Sequence, residues 1–131
     1  MSRSVTPFLM FTQGGCEEAI RFYVSLFADS RVDQVTYFPA GSPMAGTVML
    51  ANFTLKGRPY RANDSVGMHA FDFTPSFSNF VECDDAEELD GLFGKLSEGG
   101  QVMMPTDNYG FSRRFGWVQD RFNVSWQLNL V

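Results

Sequence analysis

Phe115-Gly116-Trp117-Val118-Gln119-Asp120-Arg121-Phe122-Asn123-Val124-Ser125-Trp126-Gln127-Leu128-Asn129-Leu130-Val131 decides the fold. Val124, Trp126, Leu128 and Leu130 alternate with Ser125, Gln127 and Asn129, the period of two that a half-buried strand requires. Phe115 to Gln119 reads as a second strand. Asp120-Arg121-Phe122-Asn123 supplies the turn between them, with Asn123 able to take a left-handed conformation. One face of this hairpin is expected to bury Trp126 and its apolar neighbours under a helix. The other carries neutral amides and hydroxyls, a lining that suits a small-molecule cup better than a metal.

Composition bounds the function. A chain of 131 residues makes one ordinary domain. With 44% hydrophobic and 19% charged residues it is globular. A net charge of −5 disfavours nucleic acid and anionic membrane surfaces as partners. No apolar run reaches membrane-spanning length, and the segment before Thr12-Gln13-Gly14-Gly15 is too short for a signal-peptide core. Cys16 and Cys83 stand far apart, with no CxxC, as suits a reducing compartment. The expectation is a cytoplasmic protein.

Outward from the hairpin, the chain spells the same order twice. Strands are expected near 5–12, 31–38, 47–55 and 58–64, then near 75–83, 101–104, 112–119 and 124–131. Helices are expected near 16–28 and 85–97. The first helix carries a stripe of Ala19, Ile20, Tyr23 and Phe27, with Glu17-Glu18 at its favourable end. The second has Asp84-Asp85 followed by Glu87-Glu88, a capping-box pattern, a stripe of Ala86, Leu89, Phe93 and Leu96, and Gly99-Gly100 as its stop. Pro39 to Gly46 and Pro105 to Gly110 read as loops, and Lys56-Gly57 as a tight turn. A shift of 70 residues lays Met10 on Phe80, Glu17-Glu18 on Glu87-Glu88, Tyr23 on Phe93, Val32 on Val102 and Val48 on Val118. The fold class is α+β: a single domain over 1–131 built from two β-α-β-β-β units, about 5–64 and 75–131.

Thr6 to Phe11, Glu17 to Phe27, Phe71 to Glu82, Lys95 to Gly100 and Phe115 to Gln127 together resemble the glyoxalase/bleomycin resistance/dioxygenase (vicinal oxygen chelate) superfamily. The chain is most similar to its PhnB-like branch, which carries a 3-demethylubiquinone-9 3-methyltransferase-like label. That branch usually has Gly before Val-Ser-Trp-Gln, where Asn123 stands here. The resemblance implies cupped mixed sheets and a homodimer, with or without units exchanged between chains. In metal-dependent members it implies four ligands, which map to Phe8, Asn63 (or Ala62), Ser78 and Gln127. None of these is His, Asp or Glu, so no metal and no cofactor is expected.

His69, the one histidine, precedes Asp72 by three residues; it reads as an exposed loop residue or as half of an acid–base pair. Cys16 at a helix start reads as a small buried residue or as a thiol of lowered pKa. Arg113-Arg114 can receive an anion or lie solvated. No Gly-rich nucleotide fingerprint follows a strand, so the methyltransferase label has no residue support. No catalytic residue can be assigned. Two classes remain: a metal-free protein binding an unidentified small organic molecule in a cup lined by Phe8, Asn63, Ser78, Ser125, Gln127 and Asn129, or an enzyme of lyase, dioxygenase or methyltransferase type using the same cup.

Overall fold

The computed structural model describes residues 2–131. The chain divides into two compact units, Met1–Asp72 and Phe73–Val131. The first contains β1 (Phe8–Phe11), α1 (Cys16–Leu26), β2 (Arg31–Tyr37), β3 (Val48–Leu55) and β4 (Arg58–Asp64). The second contains β5 (Ser78–Glu82), α2 (Ala86–Ser97), β6 (Gln101–Asp107), β7 (Arg114–Gln119) and β8 (Ser125–Leu130). Each unit is a four-stranded mixed sheet, ordered β1-β4-β3-β2 and β5-β8-β7-β6. The first strand lies parallel to the last, and the other neighbours are antiparallel. The expected α+β class and β-α-β-β-β order hold.

In each unit one helix covers one face of the sheet. In the first, Leu9, Phe11, Ala51, Phe53 and Ala62 meet Ala19, Ile20 and Tyr23 of α1, all buried. In the second, Trp126, Leu128 and Val118 lie under Leu89, Leu92 and Leu96 of α2. The expected stripe of α2 shifts at two positions. Ala86, in the first turn, is exposed and Phe93 only half-buried, while Leu92 takes a core place. Phe93 instead covers Gly116, where a Cβ would stand 2.7 Å from its ring.

The local signals act as their chemistry dictates. The Asp85 side chain accepts from Glu88 N–H at 2.8 Å, and Glu88 accepts from Asp84 N–H at 2.7 Å, closing the capping box one residue early. Gly99 ends α2 in a left-handed conformation (φ 73°). Lys56 and Gly57 both have positive φ, the geometry that joins β3 to β4 in two residues. One expectation fails at Pro105-Thr106-Asp107, read as loop but forming the end of β6. That strand is the sheet edge and its register breaks between Met104 and Asp107, and a proline is tolerated at an edge or bulge.

The repeat keeps its offset through only part of each unit. β1 and β5, α1 and α2, and β2 and β6 begin 70 residues apart. By strand pairing, however, Val118 stands where Ala51 does, not Val48. Asn63 and Gln127, opposite Met10 and Phe80, are 64 apart. The connection from β6 to β7 is shorter than that from β2 to β3, while the one from β7 to β8 is longer than that from β3 to β4 and joins shorter strands, differences that a fixed sequence shift cannot register.

Candidate functional site

Strand alternation leaves each sheet an open face opposite its helix. In the second unit, pairing across β5, β8 and β7 sets out three rows: Ser78–Ser125–Gln119, Phe80–Gln127–Trp117 and Glu82–Asn129–Phe115. Gln127 therefore faces away from α2, as the alternation around Trp126 predicts.

The outer rows are tied to protein partners. The Ser78 and Ser125 hydroxyls share a hydrogen bond of 2.6 Å, and the Trp117 indole N–H donates to Ser125 Oγ at 2.8 Å. The buried Asn129 accepts from the Ser112 hydroxyl and donates through Nδ2 to Glu82 Oε2 at 3.0 Å. The carboxamide of Gln127 alone in its row is polar, half-buried, and makes no hydrogen bond to any described residue. Phe80 and Trp117 flank it on the adjacent strands.

In the first unit the register settles Asn63 against Ala62. Ala62 pairs with Leu9 on the helix side and is fully buried, whereas Asn63 pairs with Met10 on the open side. Phe8, on the same open side, is 48% exposed. Asn63 Oδ1 is buried and has no hydrogen-bond partner among the described residues.

A divalent cation needs anionic oxygen, imidazole or thiolate at most of its positions. Phe8, Asn63, Ser78 and Gln127 offer a ring, two neutral amides and a hydroxyl already bonded to Ser125. Glu82 adds one carboxylate to the second face. Among the described residues no three His, Cys, Asp or Glu side chains gather in a metal-holding group. The donor set does not fit such an ion.

The remaining candidates resolve into structural roles. Cys16 is fully buried, and its backbone N–H donates to Asp64 Oδ1 at 3.0 Å; burial foremost, then the Asp64 charge, pushes its thiol up to about 12. That is the reverse of an activated thiol. His69 is exposed, 3.0 Å from the Ser65 hydroxyl and stacked on Phe71. Arg114 lies on the helix side, paired with Asp90 at 2.7 Å, and Arg113 donates to the Val131 carbonyl.

Sequence reasoning missed the aromatic part of the open face. Trp117 and Phe80 border Gln127, and Phe115 meets Phe111 at 5.0 Å and Tyr109 at 6.2 Å, both rings edge-on. Tyr109 and Phe111 come from the loop after β6. The alternation Phe115-Gly116-Trp117 carried the signal for β7. The strand partners that bring Phe80 beside Gln127 lie 47 residues apart and have no local signature.

A family model described as 3-demethylubiquinone-9 3-methyltransferase matches residues 3–129. A Bacillus cereus structure described as a putative 3-demethylubiquinone-9 3-methyltransferase, PhnB protein, is 43% identical over 98% of this chain and 100% of its own, with a TM-score of 0.93. Protein YjdN of Escherichia coli is 25% identical, covering 97% of this chain and 95% of its own. A glyoxylase/bleomycin resistance protein/dioxygenase domain from Frankia shares the fold, at 16% identity over 99% and 98% of the chains and a TM-score of 0.65. By sequence, the chain belongs to the 3-demethylubiquinone-9 3-methyltransferase family, on the fold that the Frankia glyoxylase/bleomycin resistance protein/dioxygenase domain shares.

Proposed function

We propose that this protein binds a small organic molecule on the open faces of its sheets, without a divalent metal. The observation that carries the reading is the row Phe80–Gln127–Trp117, a carboxamide with no hydrogen-bond partner among the described residues, set between two aromatic side chains. Small-molecule sites are mostly apolar, with a few polar groups that fix orientation. In this reading Gln127 contacts the ligand on the open face of the second unit, while Asn63 and Phe8 offer a like amide and apolar surface on the open face of the first. Ser78 and Ser125 hold the wall through the bond they share, and Asn129 through its bonds to Ser112 and Glu82.

The methyl transfer named in the family description calls for a donor cofactor, and the Gly14-Gly15 turn into α1 is the place to test for its cradle. Its first helical N–H is already taken by Asp64, whose other oxygen accepts from Val48 N–H at 2.9 Å. An internal carboxylate thus fills the position that an anionic group of a nucleotide would take. The residues at this turn do not fit such a group, which supports binding over transfer.

Calorimetry on chelator-treated protein with zinc, nickel and manganese, beside a fragment screen by NMR, tests the reading. Weak or absent metal binding is expected, with aromatic fragments shifting the Gln127 side-chain amide and the Trp117 indole N–H. Stoichiometric metal binding abolished by Gln127→Ala would overturn it.

Assembly as a cytoplasmic homodimer belongs to the same proposal. Phe71 and Phe77, 59% and 62% exposed in the single chain, are large apolar groups that a second copy would cover. Both cysteines are free, in keeping with a reducing compartment. Light scattering that gives a monomer at micromolar concentration would remove the dimer.

A further inference from the structure

We propose that the group recognised at Gln127 is the lactam edge of a neutral planar heterocycle, a ring N–H beside a ring carbonyl. The inference rests on the small-molecule reading and narrows it to a ligand class. A carboxamide offers one acceptor and two donors in a plane. A cis ring amide offers the matching acceptor and donor, so the two pair through parallel hydrogen bonds, as Asn and Gln pair with the edge of adenine.

Three features of the face select this partner. First, the other polar side chains beside Gln127 are already engaged: Ser125 takes the Trp117 indole N–H and bonds to Ser78, and Asn129 is held by Ser112 and Glu82. Of these side chains, Gln127 is the one whose polar group makes no hydrogen bond to any described residue. Secondly, Phe80 and Trp117 border that amide on both sides, which favours a flat ring over a branched chain. Thirdly, the Glu82 carboxylate one row away repels an anionic ligand.

The other unit repeats the device. Asn63, opposite Met10, occupies the position in its sheet that Gln127, opposite Phe80, occupies in the second. Its Oδ1 is buried without a donor among the described residues, a condition that native proteins rarely leave unexplained. Both repeats thus hold a carboxamide with unfilled capacity at the same place.

Calorimetry with 2-quinolone and N-methyl-2-quinolone tests the inference, because the two share ring and carbonyl but only the first has the N–H. The wild-type protein is expected to bind 2-quinolone about tenfold more tightly, the effect of losing one hydrogen bond. In Gln127→Met, which keeps side-chain length and removes the amide, the two affinities should converge, while both compounds still quench Trp117 fluorescence. Equal wild-type affinities, or a preference for the methylated compound, would overturn the lactam assignment and leave the small-molecule site standing. Binding of neither compound, with no quenching, would overturn both.

Discussion

The carboxylate of Asp120 accepts the indole N–H of Trp126 at 2.9 Å, six residues on, inside the turn that joins β7 to β8. Its other oxygen accepts the backbone N–H groups of Phe122 at 2.8 Å and Val124 at 3.0 Å. One buried side chain therefore fixes both the turn, with Asn123 left-handed at φ 72°, and the orientation of the largest core residue.

Asp120→Ala leaves three donors without this acceptor. Each buried group left unpaired costs about 1–3 kcal/mol, part of which water recovers at the turn, so a loss of about 3 kcal/mol in unfolding free energy is expected. Asp120→Asn keeps one acceptor oxygen and should lose about half of that. Trp126→Phe combined with each variant in a double-mutant cycle isolates the indole bond. Urea unfolding that places Asp120→Ala within about 0.5 kcal/mol of wild type, the range of an ordinary surface change, would refute this role.

Glycines of the second unit should divide by what surrounds them. A Cβ on Gly100 would stand 2.2 Å from the Gln119 carbonyl oxygen and 2.9 Å from the Asp120 carbonyl carbon, both backbone. Gly100→Ala must push β6 off β7 where Gln101 pairs with Gln119, and a loss of about 3 kcal/mol is expected. Gly94, inside α2, has nothing within 4 Å of its Cβ position. Gly94→Ala should stabilise by about 0.5–1 kcal/mol through helix propensity alone. Melting curves of the two variants should move in opposite directions.

The same contrast explains what the sequence disclosed. Alternation from Val124 to Leu130 exposes strand, face and helix side at once, because each depends only on neighbours in the chain. The capping box at Asp85 and the positive φ at Asn123 are equally local. The two-sided setting of Gln127 is not, since Phe80 reaches it through a parallel pairing and Trp117 through an antiparallel one. Pro105 in β6 was hidden for a different reason: proline argues against a strand unless the strand is an edge, and edge position is a property of the whole sheet. Fold was therefore more legible than site.

Both thiols should be inert in the native protein and should make its stability fall at high pH. Cys16 and Cys83 are buried, and burial is the largest cause that raises each from the ordinary value of 9.0 to about 12. The Asp64 and Glu17 charges add to the effect at Cys16, and Glu88, Glu82 and Asp84 at Cys83, where the backbone bond with Asn129 opposes it. A folded-state value above the unfolded one means that the unfolded chain gives up its protons first. The contribution is thus fully present below about pH 9 and is lost as pH rises toward about 12. Thiol titration with an aromatic disulfide at pH 8 should be slow in buffer and release two equivalents at once in denaturant. In Cys16→Ala/Cys83→Ala, unfolding free energy should fall less steeply between pH 9 and 11 than in the wild type, where tyrosine and lysine titration is common to both. Rapid native labelling of either thiol, or parallel pH profiles for the two proteins, would show that these side chains are not sealed in the cores of their units.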